Sequence, residues 1–89
     1  MIARDVRIVN RLGLHARAAA RFVHLANRYR SRITLTRDAR TMDGKSILGI
    51  LLLAAGPGTV LRLAADGEDE AAAVDALSAL VGSRFGEEA

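Results

Sequence analysis

The stretch Val6-Arg7-Ile8-Val9-Asn10-Arg11-Leu12-Gly13-Leu14-His15-Ala16-Arg17-Ala18-Ala19-Ala20-Arg21-Phe22-Val23 changes its hydrophobic period in the middle. Before Asn10, apolar Val6 and Ile8 alternate with Arg7, and Ile2 and Arg4 extend that face, so residues 2–9 read as a strand. After His15, Ala19, Phe22, Val23, Ala26 and Tyr29 recur at helical spacing and predict an amphipathic helix. Gly13 marks the loop between the two.

The same switch repeats downstream. Ile33 and Leu35 alternate with Thr34 and Thr36, and the polar Arg37-Asp38-Ala39-Arg40 turn leads into a short strand over 40–43. Ser46 stands at an N-cap position before the apolar run from Ile47 to Ala54, a second helix ended by Gly56-Pro57-Gly58. Thr59 to Ala64 alternates again. Glu68-Asp69-Glu70 then supplies acids suited to the first turn of a third helix, whose stripe is Val74, Leu77, Leu80 and Val81 and whose stop is Gly82. The order β-α-β-β-α-β-α predicts an α+β fold, an open-faced β-sandwich. Its four-stranded antiparallel sheet carries three helices on one face and leaves Arg7, Thr34, Thr36 and Arg62 on the other.

Eighty-nine residues allow one domain, 1–89, with a thin core and function at its surface. Without cysteine there is no disulfide, thiolate metal site or cysteine nucleophile. His15 and His24 lack a third ligand at useful spacing, so no metal is expected, and no cofactor either. Met1 to Asp5 has no signal-like apolar region, and the longest apolar run, Ile50 to Ala55, is too short to span a membrane. The expectation is a cytoplasmic protein without membrane insertion, with a monomer the simplest state. The net charge of +3 is unevenly spread: residues 1–45 carry 11 basic and 3 acidic side chains, residues 46–89 carry 2 and 7. That polarity suits an acidic partner. Nucleic acid is not expected, because Phe22, Tyr29 and Phe85 form no stacking platform.

His15 opens the first helix, where unpaired amides, chiefly those of Ala16 and Arg17, form an anion site and Arg17 adds a guanidinium fork. Two readings of the residues stand side by side. His15 either caps the helix or acts as a nucleophile in reversible phosphoryl transfer.

The segment Gly13-Leu14-His15-Ala16-Arg17-Ala18-Ala19 resembles the active-site signature of the HPr family, histidine-containing phosphocarriers of the bacterial phosphoenolpyruvate-dependent phosphotransferase system. Asp43-Gly44-Lys45-Ser46-Ile47-Leu48-Gly49, Gly58-Thr59-Val60 and Gly67-Glu68-Asp69-Glu70 match in order, so the resemblance covers essentially the whole chain. It implies that His15 accepts a phosphoryl group on Nδ1 from enzyme I and passes it to an enzyme IIA-type acceptor in sugar transport, with Arg17 and the first amides stabilising it. Such a protein is a transfer intermediate more than an independent enzyme. The resemblance also makes Ser46 a substrate for an ATP-dependent HPr kinase/phosphorylase.

Two departures stand out. Ala18 occupies a position where the family usually has proline, which predicts retained transfer at an altered rate. Leu12 replaces a small polar residue common in sugar-pathway members, as in nitrogen-type or regulatory variants. With Ile50, Leu53 and Ala54 on the sheet, Ile47, Leu48, Leu51 and Leu52 form an apolar patch near Ser46 for partner docking. Arg17, Arg21, His24 and Arg28 share one face of the first helix and would steer acidic partners. The competing function is a regulatory adaptor acting mainly through Ser46 phosphorylation, with little or no sugar transport role.

Overall fold

The computed structural model describes residues 1–89. Its elements are β1 (Ile2–Arg7), α1 (Ala16–Ala26), β2 (Arg32–Arg37), β3 (Arg40–Asp43), α2 (Ile47–Leu51), β4 (Val60–Asp66) and α3 (Glu70–Gly82), followed by a 3-10 turn, Arg84–Gly86. The strands form one antiparallel sheet in the order β1-β4-β2-β3, so the first and last strands of the chain lie side by side. The predicted order and open-faced architecture hold.

Alternation along each strand explains the register. Val6 opposes Leu61, Ile2 opposes Ala65, Ala65 opposes Ile33, and Leu63 opposes Leu35, so apolar pairs line the centre of this face, with Arg4 opposite Leu63 and the Arg37–Arg40 pair at its margins. Val6, Leu61, Leu63, Ala65, Ile33 and Leu35 are buried. Phe22 and Val23 of α1 and Val74, Leu77 and Val81 of α3 join them in a single core. The opposite face carries Asp5, Arg7, Arg62, Thr34 and Thr36, as the alternation requires. Arg4 lies on the helix side at the edge of the sheet. It escapes burial by reaching Asp75 (2.9 Å) and Ser78 (3.3 Å) of α3.

The second helix departs from expectation. It ends at Leu51 rather than Ala54. Ala54 is exposed, in a left-handed conformation (φ 50°), while Ala55 takes the buried place. The cause is a pair of arginines on the helix-facing side of the β2–β3 hairpin. Arg37 donates to the carbonyls of Leu53 (2.9 Å) and Ala54 (2.7 Å), and Arg40 to that of Leu52 (3.0 Å). These bonds satisfy carbonyls that would otherwise continue the helix.

Of the acids at the start of α3, Glu70 lies in the first turn as expected, whereas Asp69 behaves differently. Asp69 occupies the N-cap position yet makes no capping bond with its side chain. Its carboxylate instead accepts from the Arg30 amide (2.8 Å), the Ser31 amide (3.0 Å) and the buried Ser31 hydroxyl (2.5 Å), tying α3 to the loop after α1. Those donors, the Ser31 hydroxyl first and the Arg30 amide second, lower the Asp69 carboxyl to about 2.

Two outcomes follow for stability. Ala54→Gly relieves a left-handed alanine and should stabilise the fold by about 1 kcal/mol, a rise of about 4–8 °C in Tm; an unchanged or lower Tm refutes it. Because the Asp69 carboxyl is depressed on folding, its contribution is complete above the unfolded value near about 4. That contribution is lost as pH falls through about 2. Asp69→Asn should therefore flatten the loss of stability across that acid window in urea titrations. A variant with the wild-type acid profile contradicts the assignment.

Candidate functional site

The site begins with a backbone approach. Gly13 has φ 68°, and a Cβ there would lie 2.7 Å from the Ala55 carbonyl and 2.9 Å from Gly56 Cα. Only glycine allows this contact. The Leu14 amide then donates to the Ala55 carbonyl (2.9 Å) and the Leu14 side chain is buried. The loop is thus fastened on both sides of the turn that presents His15.

His15 is the N-cap of α1, with extended backbone (φ −77°, ψ 178°). Its Nδ1 accepts a hydrogen bond from the Arg17 amide at 3.3 Å, and its Nε2 lies 2.6 Å from Glu87 Oε2. An atom that accepts from an N–H carries a lone pair, so this network places the ring proton on Nε2. Ala16 and Arg17 open α1, and of their two amides it is that of Arg17 that faces the ring. The Arg17 side chain is exposed. Together with Arg11 and Arg21 it lines a shallow cleft that also includes Leu12 and Glu87. Such a cleft offers guanidinium donors to an anion at the helix start.

Three participants escaped the sequence reading. Asn10 is fully buried and donates both amide hydrogens, to the Gly13 carbonyl (2.7 Å) and to Glu87 Oε1 (2.9 Å). Glu87 thereby receives Asn10 on one oxygen and His15 on the other. These contacts, Asn10 first and His15 second, hold its carboxyl below the usual carboxylate range. Phe85, read only as a stray aromatic, is buried in the core, and Arg21 donates to its carbonyl. The one available signal was that aromatic in an otherwise polar stretch beyond Gly82.

The remaining candidates divide. Arg17, Arg21 and His24 are exposed on α1, and Arg28, also exposed, lies beyond the helix, which ends at Ala26 rather than continuing through the predicted stripe. Arg21 is nevertheless engaged with Phe85. Ser46 caps α2 by accepting from the Gly49 amide (3.0 Å). Beside it, Lys45 is anchored through its ammonium to the Tyr29 carbonyl (2.7 Å). Ile47, Leu48 and Leu52 are exposed, whereas Leu51 is half-buried and packs on the core. Leu51 therefore departs from the predicted patch, packing against the core beside buried Ile50. No helix is long and apolar enough to cross a membrane.

Comparison with known proteins agrees with this geometry. The family model described as the PTS HPr component phosphorylation site matches residues 2–83. A phosphocarrier protein HPr from Cupriavidus necator is 49% identical over 87 residues, 98% of each chain. The crystal structure of HPr-C-His from Thermoanaerobacter tengcongensis superposes over the whole of both chains with a TM-score of 0.96 at 43% identity. An HPr dimer from the same organism gives a TM-score of 0.79 at 44% identity, over 92% of this chain and 94% of the other. With the motif around His15, the sheet order and full-length likeness in agreement, the chain belongs to the HPr family, the phosphocarrier proteins of the phosphotransferase system.

Proposed function

We propose that His15 is the phosphoacceptor, taking a phosphoryl group on Nδ1 from phosphorylated enzyme I and passing it to an enzyme IIA-type acceptor. The observation that carries this reading is the lone pair on Nδ1, held at the start of α1 by the Arg17 amide. When the N–P bond forms, that amide is already within reach of a phosphoryl oxygen, and the Arg17 guanidinium can add two further donors to the same group. Partner proteins complete the site from outside, since His15 lies at the surface rather than in a pocket.

The exposed Ile47, Leu48 and Leu52 serve as the apolar part of the docking surface. The exposed guanidinium groups of Arg17 on α1 and Arg28 just beyond it, with His24 between them, steer acidic partners toward it. Residues 1–89 act as one cytoplasmic domain, working as a monomer. Ser46 is the regulatory position, modified by an HPr kinase/phosphorylase. A phosphate there places about two negative charges beside the docking patch and repels acidic partners without touching His15.

Incubation with phosphoenolpyruvate and enzyme I should add one phosphoryl group, acid-labile and base-stable, measured by intact mass. His15→Ala should abolish it, and Arg17→Ala should slow transfer on the order of 100-fold; an adduct that persists in His15→Ala refutes the assignment. At Ser46 the two roles separate. Ser46→Ala should cost about 1 kcal/mol of stability by losing the cap while leaving transfer unchanged. Ser46→Asp should slow transfer from enzyme I, and added salt should reduce the difference. Equal transfer rates for Ser46→Asp and wild type would remove the gating role.

A further inference from the structure

We infer that Glu87 is a positioning residue for His15, keeping the ring proton on Nε2 so that Nδ1 presents a lone pair in both directions of phosphoryl transfer. The inference deepens the carrier reading and rests on it for the transfer step.

The contacts leave one consistent arrangement of hydrogens. The Arg17 amide can only donate, so Nδ1 accepts. The ring proton on Nε2 then needs an acceptor, and Glu87 Oε2 stands 2.6 Å away. Glu87 is itself fixed by Asn10, whose two amide hydrogens are spent on Gly13 and on Glu87 Oε1. Asn10 cannot be turned over, since its carbonyl would then face the Gly13 carbonyl and the Glu87 carboxylate. Its Oδ1 is buried without a partner, a cost accepted for this orientation.

The chain reaches this position by a constrained route. Arg84 and Phe85 are both left-handed (φ 61° and 54°), and Gly86 follows at φ 78°. Buried Phe85, the bond from Arg21 to its carbonyl, and the Glu87 amide donating to the Arg84 carbonyl (2.9 Å) hold the turn. Non-glycine left-handed residues in succession are costly and persist where the surroundings enforce them. What this turn delivers is the Glu87 carboxylate, brought back to a histidine 72 positions earlier in the chain.

The chemistry balances without moving a proton. As the Nδ1 lone pair forms its bond to phosphorus, the donor's bond to phosphorus breaks and that electron pair leaves with the donor atom. The ring, still protonated on Nε2, becomes cationic beside the Glu87 carboxylate. In onward transfer the Nδ1–P bond breaks, the pair returns to Nδ1 and the ring is neutral again. Glu87 accepts the same hydrogen bond throughout, the role an orienting carboxylate plays toward histidine in other sites.

The test compares Glu87→Gln, Glu87→Ala and Glu87→Asp in the whole chain. Nitrogen chemical shifts of the His15 ring, recorded near about pH 9 where imidazole is neutral, report the proton's position. Transfer from phosphoenolpyruvate through enzyme I reports function. A purely space-filling Glu87 would tolerate isosteric glutamine better than alanine, whereas positioning predicts the reverse. Asn10 can only donate toward residue 87, so the glutamine presents its carbonyl to Asn10 and its amide hydrogens to His15 Nε2. The ring is then driven toward the Nδ1–H form and against the Arg17 amide.

The expected result is an Nε2–H ring in wild type and Glu87→Asp, a mixed ring in Glu87→Ala, and a ring shifted furthest toward Nδ1–H in Glu87→Gln. Transfer should fall about three- to tenfold in Glu87→Ala and on the order of 10- to 100-fold in Glu87→Gln. A glutamine variant matching wild type in both readouts, or a wild-type proton on Nδ1, overturns the inference. If wild type takes no phosphoryl group from enzyme I, the carrier assignment of His15 falls and the transfer role of Glu87 with it. The ring shifts still decide whether Glu87 sets the tautomer.

Discussion

A four-stranded antiparallel sheet on this scale can bury one face only, and that face is built from Val6, Leu61, Leu63, Ala65, Ile33 and Leu35. Their alternation fixes the register of every strand, because a slip by one residue would exchange these side chains for Arg62, Thr34 and Thr36. Burial of such side chains against Phe22, Val74 and Leu77 is worth about 1.5–3 kcal/mol each, so the register is strongly held. Once it is held, α1 has one place to lie. Its buried stripe of Ala18, Ala19, Phe22, Val23 and Ala26 faces the sheet, and its first turn projects from one end. His15 therefore occupies its position because of packing established some distance from it.

Local constraints then refine the position that packing chose. The close approach of Gly13 to Ala55 and the bond from the Leu14 amide join the loop before α1 to the chain after α2. Arg37 and Arg40 end α2 at the distance that allows Ala55 to be there. Asn10 and Phe85 bring in the last segment of the described chain, completing the ring of contacts around the imidazole. Each of these fastenings joins residues far apart in sequence. Together they supply the rigidity that a thin core cannot.

That distance in sequence explains what could be read and what could not. The order of elements, the buried stripe of α1, the Ser46 cap and the pairing of His15 with Arg17 all follow from short-range periodicity and residue chemistry. The end of α2 did not follow, because the leucine run continues past Leu51 and the arginines that stop it lie in the preceding hairpin. Leu51 was placed on the surface for the same reason. Glu68-Asp69-Glu70 looked like helix-dipole partners, yet Asp69 serves Arg30 and Ser31 instead. Asn10 and Glu87 carry no local signal at all. One is an ordinary loop residue and the other sits in a polar run, and only the fold joins them.

A phosphocarrier must expose its reactive nitrogen to successive partners and still keep it chemically uniform from one encounter to the next. A deep pocket would orient the ring but exclude those partners, and a chain of 89 residues has little volume in which to build one. Here the orientation comes from the ring's rim instead. Nδ1 faces a backbone amide, Nε2 faces a carboxylate, and 27% of the His15 side chain remains exposed. The same economy governs α2 and the two residues after it, where Ile50 and Leu53 satisfy the core and leave Ile47, Leu48 and Leu52 outside. Those exposed side chains subtract little from folding, since Ile50 in the helix and Leu53 beyond it already anchor the segment. They remain as an apolar surface patch on a small domain. Orientation and access are thus separated in space: the fold controls the side of the imidazole facing inward, and the other side is left open to solvent.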